Sequence, residues 1–205
     1  MYELAIYGGT FAPVHNGHIH AANSFLDALC PDKLLIMPNR ITPRKQDESC
    51  SSPEDRLNML KLAFEDHPLY ENKIFISDHE LLTPAPSYTV NTLKHFAAPD
   101  TRLTFLVGTD MFLILDKWYL SSEIFRLSRI ALMKRETESP EITEAIEKQT
   151  AFLRERFKAD IITVDISPIE ISSSQIRSGD DDLRQKYLPK KVYLYIKEHS
   201  LYENN

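Results

Sequence analysis

The chain has 205 residues, 42% of them hydrophobic and 26% charged, a make-up that fits an ordinary soluble globular protein and excludes a disordered or membrane-embedded chain. Its formal net charge of −6 argues against a surface for long stretches of nucleic acid, because such binding relies on many Lys and Arg to neutralise phosphates. The length suits one well-buried domain, so a single core over residues 1–205 is expected.

From the start of the chain, Met1 to Tyr7 carries no basic segment and no small-residue cleavage site. No later apolar run approaches about 18 residues, so a cytoplasmic chain without a membrane span is expected. Short runs rich in branched residues then recur: Leu4 to Tyr7, Lys33 to Met37, Lys73 to Ile76, Leu103 to Val107, Arg129 to Met133 and Asp160 to Val164. They read as buried strands. Helical spacing lies between them, as at Ile19, Ala22, Phe25, Leu26 and Leu29, which share one helix face. This alternation predicts an α/β fold: a doubly wound, Rossmann-like open parallel sheet with helices on both faces. Ligands of such sheets bind beyond the carboxyl ends of the strands, near the switch point. The stretch from Lys134 to Phe157 reads as a solvated amphipathic helix. The acidic run Asp180, Asp181 and Asp182 reads as a solvated loop rather than a cation site. Cys30 and Cys50 are the only cysteines and form no CxxC pair, so reduced thiols are expected.

Three clusters carry chemistry. The chain has only five glycines, where average usage gives about fourteen, yet Gly8, Gly9 and Gly17 all follow the first strand. The segment Gly8-Gly9-Thr10-Phe11-Ala12-Pro13-Val14-His15-Asn16-Gly17-His18 reads as a phosphate cradle: glycines allow close backbone approach, and the next helix presents N–H groups. It is neither GxGxxG nor a Walker loop. His15 and His18 point to phosphate contact. A zinc site using His15, His18 or His20 lacks the supporting Cys or Glu nearby. A second cluster, Ile171-Ser172-Ser173-Ser174-Gln175-Ile176-Arg177, follows the last strand and Pro168. Its serines suit helix capping, and together with Arg177 they suit a polyphosphate. A third cluster, Arg40, Pro43, Arg44 and Lys45, leaves the second strand, and within it Lys45 and then Arg44 are the partners expected for the β- and γ-phosphates.

These elements resemble the nucleotidyltransferase superfamily with H-x-G-H near the amino terminus and Ile-Ser-Ser-Ser/Thr-x-x-Arg near the carboxyl terminus, over nearly the whole chain. Pro86-Ser87-Tyr88-Thr89 with Thr92-Leu93, Gly108-Thr109-Asp110 and Lys117-Trp118-Tyr119 resemble the bacterial nicotinate mononucleotide adenylyltransferases. That resemblance implies that Gly8, Gly9, Thr10, Phe11, His15, His18, Ile171, Ser172, Ser173 and Arg177 hold ATP, with Gly108 and Asp110 near its nucleoside. It implies that Tyr88, Thr89, Trp118, Tyr119 and Arg44 serve the pyridine nucleotide, and that His15, His18, Lys45 and Arg177 stabilise charge in the reaction. The implied reaction moves AMP from ATP to nicotinate mononucleotide, with Mg2+ arriving on ATP and no metal ligand supplied by the protein. A phosphate neighbour favours protonated histidines. Nicotinamide mononucleotide and phosphopantetheine are alternative acceptors, and a non-catalytic nucleotide-binding regulator is an alternative class. An aminoacyl-tRNA synthetase fragment is disfavoured, since no Lys-Met-Ser-Lys-Ser loop is present. Ala12, Arg44 and Ser174 depart from the family's usual aspartate, histidine and threonine. Oligomeric state is not legible.

Overall fold

The computed structural model describes residues 1–40, 51–83, 86–135, 137–167 and 169–203. Its strands are β1 (Tyr2–Gly9), β2 (Lys33–Pro38), β3 (Ile74–Ile76), β4 (Thr101–Gly108), β5 (Ser128–Arg135) and β6 (Ile161–Ile166). They form one sheet in the order β3-β2-β1-β4-β5-β6, flanked by helices, with parallel registers from β1 to β4, β4 to β5 and β5 to β6. This is the expected doubly wound arrangement, and its order reverses between β1 and β4, where such folds place their ligands.

All six branched runs become strands, because strands buried on both faces need near-continuous apolar residues. In β4, the five residues from Leu103 to Val107 are all buried. In β6, open and buried positions alternate from Thr163 to Ile166, as an edge strand allows. One boundary differs from expectation. Lys134 and Arg135 continue β5, paired with Asp165 and Ile166, and the helix begins only at Pro140, capped by Ser139.

By contact density the chain divides into two compact units. The first comprises Met1–Gly8, Ser24–Leu35 and Tyr88–Pro168. Its core includes Leu4, Ile6, Leu103, Leu106, Ile130, Leu132, Val90 and Leu93, all buried. It holds α4 (Thr89–Phe96), α5 (Thr109–Phe112), α6 (Ser121–Leu127) and α7 (Pro140–Phe157).

The second unit comprises Gly9–Asn23, Ile36–Ser87 and Ile169–Asn205. It holds α2 (Pro53–Phe64), α3 (His79–Leu82), α8 (Ser173–Ser178), α9 (Asp181–Tyr187) and α10 (Lys190–Glu198), while α1 (Asn16–Leu29) begins in it. Its core gathers Phe11, Val14, Met59, Leu60, Phe64, Ile176, Val192 and Ile196. The start of α2 is well specified: Pro53 occupies the first turn, and Ser52 and Asp55 form a reciprocal capping box, which satisfies two otherwise orphaned N–H groups.

Candidate active site

In the second unit the loop after β1 is built around three rings. His15 is 5% exposed, and its ring centroid lies 3.8 Å from that of His18. Phe11 meets His18 edge-on at 5.0 Å. Phe11 takes φ = 51°, which is uncommon for a bulky residue, and its ring folds back over Gly9. A Cβ on Gly9 would stand 2.9 Å from Phe11 Cζ, and one on Gly17 would stand 3.0 Å from His15 Nδ1. Gly9 and Gly17 therefore make room for the rings of Phe11 and His15. In the first unit Gly8 and Gly108 do leave open ground: a Cβ at Gly8 has only Phe105 nearby, at 3.8 Å, and one at Gly108 meets nothing within 4 Å.

The two histidines are locked by the helix start. His15 precedes α1, its carbonyl accepts the His18 backbone N–H at 2.8 Å, and its own N–H donates to His18 Nδ1 at 3.2 Å. This is the return half of a capping box, with histidine where Glu or Gln usually stands. Because Nδ1 accepts, a neutral His18 carries its proton on Nε2 and offers a ring N–H without a net charge. Burial pushes His15 down to about 4. Burial, with His15 alongside, holds His18 well below the ordinary histidine value. Without a phosphate beside them both rings are thus held neutral at pH 7, because desolvation disfavours the imidazolium. His15 Nδ1 is buried with no hydrogen-bond partner among the described residues.

The second motif meets the first. Ser172 caps α8, accepting from the Gln175 N–H while Gln175 Oε1 accepts from the Ser172 N–H. Ser173 Oγ donates to the Pro13 carbonyl at 2.9 Å across 160 positions of sequence. Arg177 Nη1 donates to the Ala12 carbonyl at 2.8 Å, and Nη2 to Ser174 Oγ at 3.2 Å. Ile171, half-buried, leads into this turn. The Ser172 hydroxyl is thus committed to the head of α8, and that of Ser173 to joining α8 to the loop after β1. Arg177 keeps further N–H donors beyond these two bonds.

One participant escapes the sequence motifs. Arg56, 1% exposed, donates from Nη1 to the carbonyls of Thr10 at 2.9 Å and Asn39 at 2.7 Å, and from Nη2 to that of Arg40 at 3.5 Å. A buried guanidinium is costly unless well hydrogen-bonded. Here it ties the loops after β1 and β2 and turns their carbonyls toward a cation. The available signal was its spacing: Arg56 shares the buried helix face with Met59, Leu60 and Phe64. Thr10 is further linked to Asn39 at 3.5 Å. Arg40 of the third cluster donates from Nη1 to the carbonyls of Leu81 and Thr83. Pro43, Arg44 and Lys45 lie outside the described residues.

Of the residues assigned to the pyridine nucleotide, Tyr88, Thr89, Trp118 and Tyr119 lie in the first unit. Tyr88 and Tyr119 have ring centroids 4.7 Å apart, Tyr119 is 56% exposed, and Thr89 opens α4. Trp118, half-buried, sets its ring edge-on to Phe105 at 6.1 Å. Asp110 is exposed on the first turn of α5, next to Thr109, whose Oγ1 donates to Glu138 Oε1 at 2.7 Å. The acidic run, expected in a loop, instead opens a helix: Asp180 caps α9, Asp181 and Asp182 occupy its first turn, where acids suit the helix dipole, and Asp181 accepts from Tyr193. No three His, Cys, Asp or Glu side chains cluster as a metal cage among the described residues.

A doubly wound sheet with a histidine-bearing loop after its first strand, met by an arginine-bearing helix after its last, defines the nucleotidyltransferase class. The chain belongs to the cytidylyltransferase-like family, whose model matches residues 6–179, and several of its curated relatives carry the name probable nicotinate-nucleotide adenylyltransferase. A protein of Clostridium tetani named probable nicotinate-nucleotide adenylyltransferase is 34% identical over 98% of this chain and 100% of its own length. One of the same name from Geobacillus thermodenitrificans is 36% identical over 98% of this chain and 87% of its own. Among solved structures, the Plasmodium falciparum nicotinic acid mononucleotide adenylyltransferase complexed with NaAD superposes with a TM-score of 0.76, covering 100% of this chain and 99% of that one. At 19% identity that likeness speaks for the fold. The resemblance read from the sequence is borne out at the level of family. No helix among the described residues is long and apolar enough to cross a membrane.

Proposed function

We propose that the chain transfers the AMP part of ATP to the phosphate of nicotinate mononucleotide, releasing pyrophosphate and forming nicotinate adenine dinucleotide. The observation that carries this reading is the meeting of the two motifs: Arg177 and Ser173 bonded to the carbonyls of Ala12 and Pro13, beside the paired histidines.

An acceptor phosphate oxygen attacks the α-phosphorus of ATP in line, a new P–O bond forms, and the bond to the bridging oxygen breaks as pyrophosphate leaves. The monoester's second pKa lies near about 6, so the nucleophile is already largely dianionic and needs no general base. The protein's work is placement and charge stabilisation. His18 Nε2–H and His15 serve as neutral donors to the α- and β-phosphate oxygens, at no cost of keeping a buried imidazolium. Arg177 and Lys45 offset charge on the leaving pyrophosphate. Gly8, Gly9, Thr10, Phe11, Ile171, Ser172 and Ser173 shape the triphosphate site, with Gly108 and Asp110 serving the nucleoside. Tyr88, Thr89, Trp118, Tyr119 and Arg44 take the pyridine mononucleotide, whose flat ring suits aromatic faces.

The donors of this site, imidazole N–H, guanidinium and backbone N–H, suit anions and not a bare cation. Mg2+ therefore fits as a companion of ATP, held by phosphate oxygens and water, where it would neutralise triphosphate charge. Pyrophosphate release, measured with ATP and each acceptor in turn, tests the reading. Turnover is expected with nicotinate mononucleotide above its amide and above phosphopantetheine. Faster turnover with the amide reassigns the acceptor, and no release with any acceptor from a folded, ATP-binding protein favours a regulatory module.

A further inference from the structure

The turn after α10 carries a tyrosine whose position serves no packing rule alone. Tyr202 is 5% exposed and holds φ = 61°. A left-handed backbone at a bulky side chain persists only where the surroundings impose it. Its hydroxyl donates to Ser51 Oγ at 2.8 Å across 151 positions, in a buried bond. Its backbone carbonyl accepts from Arg184 Nη2 at 2.9 Å.

Arg184, 8% exposed, also donates from Nε to the Ile176 carbonyl at 3.1 Å and from Nη2 to the Arg177 carbonyl at 3.0 Å. These are carbonyls of the last turn of α8, which a cation stabilises. Ser51 adjoins Ser52, the cap of α2. One turn of chain thus joins the end of α8 to the head of α2. Those two helices carry the guanidiniums that grip the same loop, Arg56 at the Thr10 carbonyl and Arg177 at the Ala12 carbonyl. Burial pushes the Tyr202 phenol up to about 12 while Arg177 and Arg56 act on it as nearby positive charges, so the hydroxyl remains a donor at every working pH.

We propose that Tyr202 is a positioning residue for the triphosphate: with Arg184 and Ser51 it forms a brace that sets Arg177 against Arg56 around the Thr10–Pro13 loop. The proposal rests on the adenylyltransferase reading, since it assigns the braced loop to the triphosphate. The brace touches no ligand. It acts by fixing the spacing of two cations, so its loss weakens triphosphate binding and leaves the acceptor's own affinity alone.

The test uses calorimetric titration with inorganic triphosphate on the full chain and on Tyr202→Phe, Ser51→Ala and the double variant, with nicotinate mononucleotide titrated separately. Tyr202→Phe removes only the hydroxyl and keeps the ring, and Ser51→Ala breaks the same bond from the other side should the first variant fail to fold. Each single variant is expected to weaken triphosphate binding about 5-fold, the scale of one net hydrogen bond, with mononucleotide binding unchanged. The double variant is expected to lose less than the sum of the singles, because both break the same Tyr202–Ser51 bond. Unchanged triphosphate binding overturns the brace, and so does an equal loss for both ligands, which is what general loosening of the fold produces. A wild-type chain that binds no triphosphate refutes the adenylyltransferase reading instead.

Discussion

The phosphate-side cluster of the second unit and the aromatic cluster of the first are built on opposite plans. Around His15 and His18 nearly every polar group is committed: Arg56, Arg177 and Ser173 hold the carbonyls of Thr10, Ala12 and Pro13, and the His15 N–H fixes the His18 ring. Around Tyr88, Trp118 and Tyr119 the contacts are ring against ring, and Tyr119 stands largely in solvent. The difference follows from what each cluster is proposed to hold. Stabilising charge that develops on a phosphate requires donors fixed in advance, whereas stacking on a flat ring tolerates small displacements.

The comparison breaks most readily at His18. Removing one preorganised donor costs about 10²- to 10³-fold in rate, so His18→Ala is expected to lose that much kcat while keeping its circular dichroism and melting transition. Near wild-type turnover would take His18 out of the mechanism.

The second effect concerns acid. An unfolded histidine binds a proton below about 6.5, whereas folded His15 does so only near about 4. Between those values the unfolded chain binds more protons, so stability falls as pH falls, by roughly 3 kcal/mol at most for this group, and is unaffected by it above pH 7. Urea unfolding at pH 7 and pH 4.5 should show a larger loss in the wild type than in His15→Gln. Equal losses would mean that His15 is not held neutral by burial.

Gly17→Ala sharpens the contrast at smaller scale. The new methyl would press on His15 Nδ1 from 3.0 Å, and a displaced donor is expected to cost about 10- to 100-fold in kcat/KM. Structural tolerance with full activity would show that the ring can shift without consequence. On the aromatic side, Tyr119→Ala is expected to raise KM for the mononucleotide about 3- to 10-fold, the scale of one aromatic contact, with KM for ATP and the melting temperature nearly unchanged. A larger effect on ATP than on the acceptor would reverse the assignment of the cluster.

The strands were readable because burial on both sheet faces forces branched apolar runs, as in Leu103 to Val107. Lys134 and Arg135 were misread as helical because two charged residues at a strand end look like the start of the polar segment after them. The meeting of α8 with the loop after β1, through Arg177 at Ala12 and Ser173 at Pro13, was legible as two motifs. The reasons for the glycines were not, since the Phe11 and His15 rings that fill their Cβ positions are brought there by the fold. Arg56, Arg184 and Tyr202 stayed hidden for a related reason: a charge that binds carbonyls from distant loops has no local pattern beyond a place on a buried helix face. The neutral state of the histidines is likewise set by desolvation that only the assembled loop creates.

The most direct test of the account follows the α-phosphorus. With ATP labelled at that atom and nicotinate mononucleotide as acceptor, the account predicts that the label passes into the dinucleotide while unlabelled pyrophosphate is released in equal amount. Label recovered as free AMP, or retained in ATP under conditions where the folded protein binds both substrates, would contradict it.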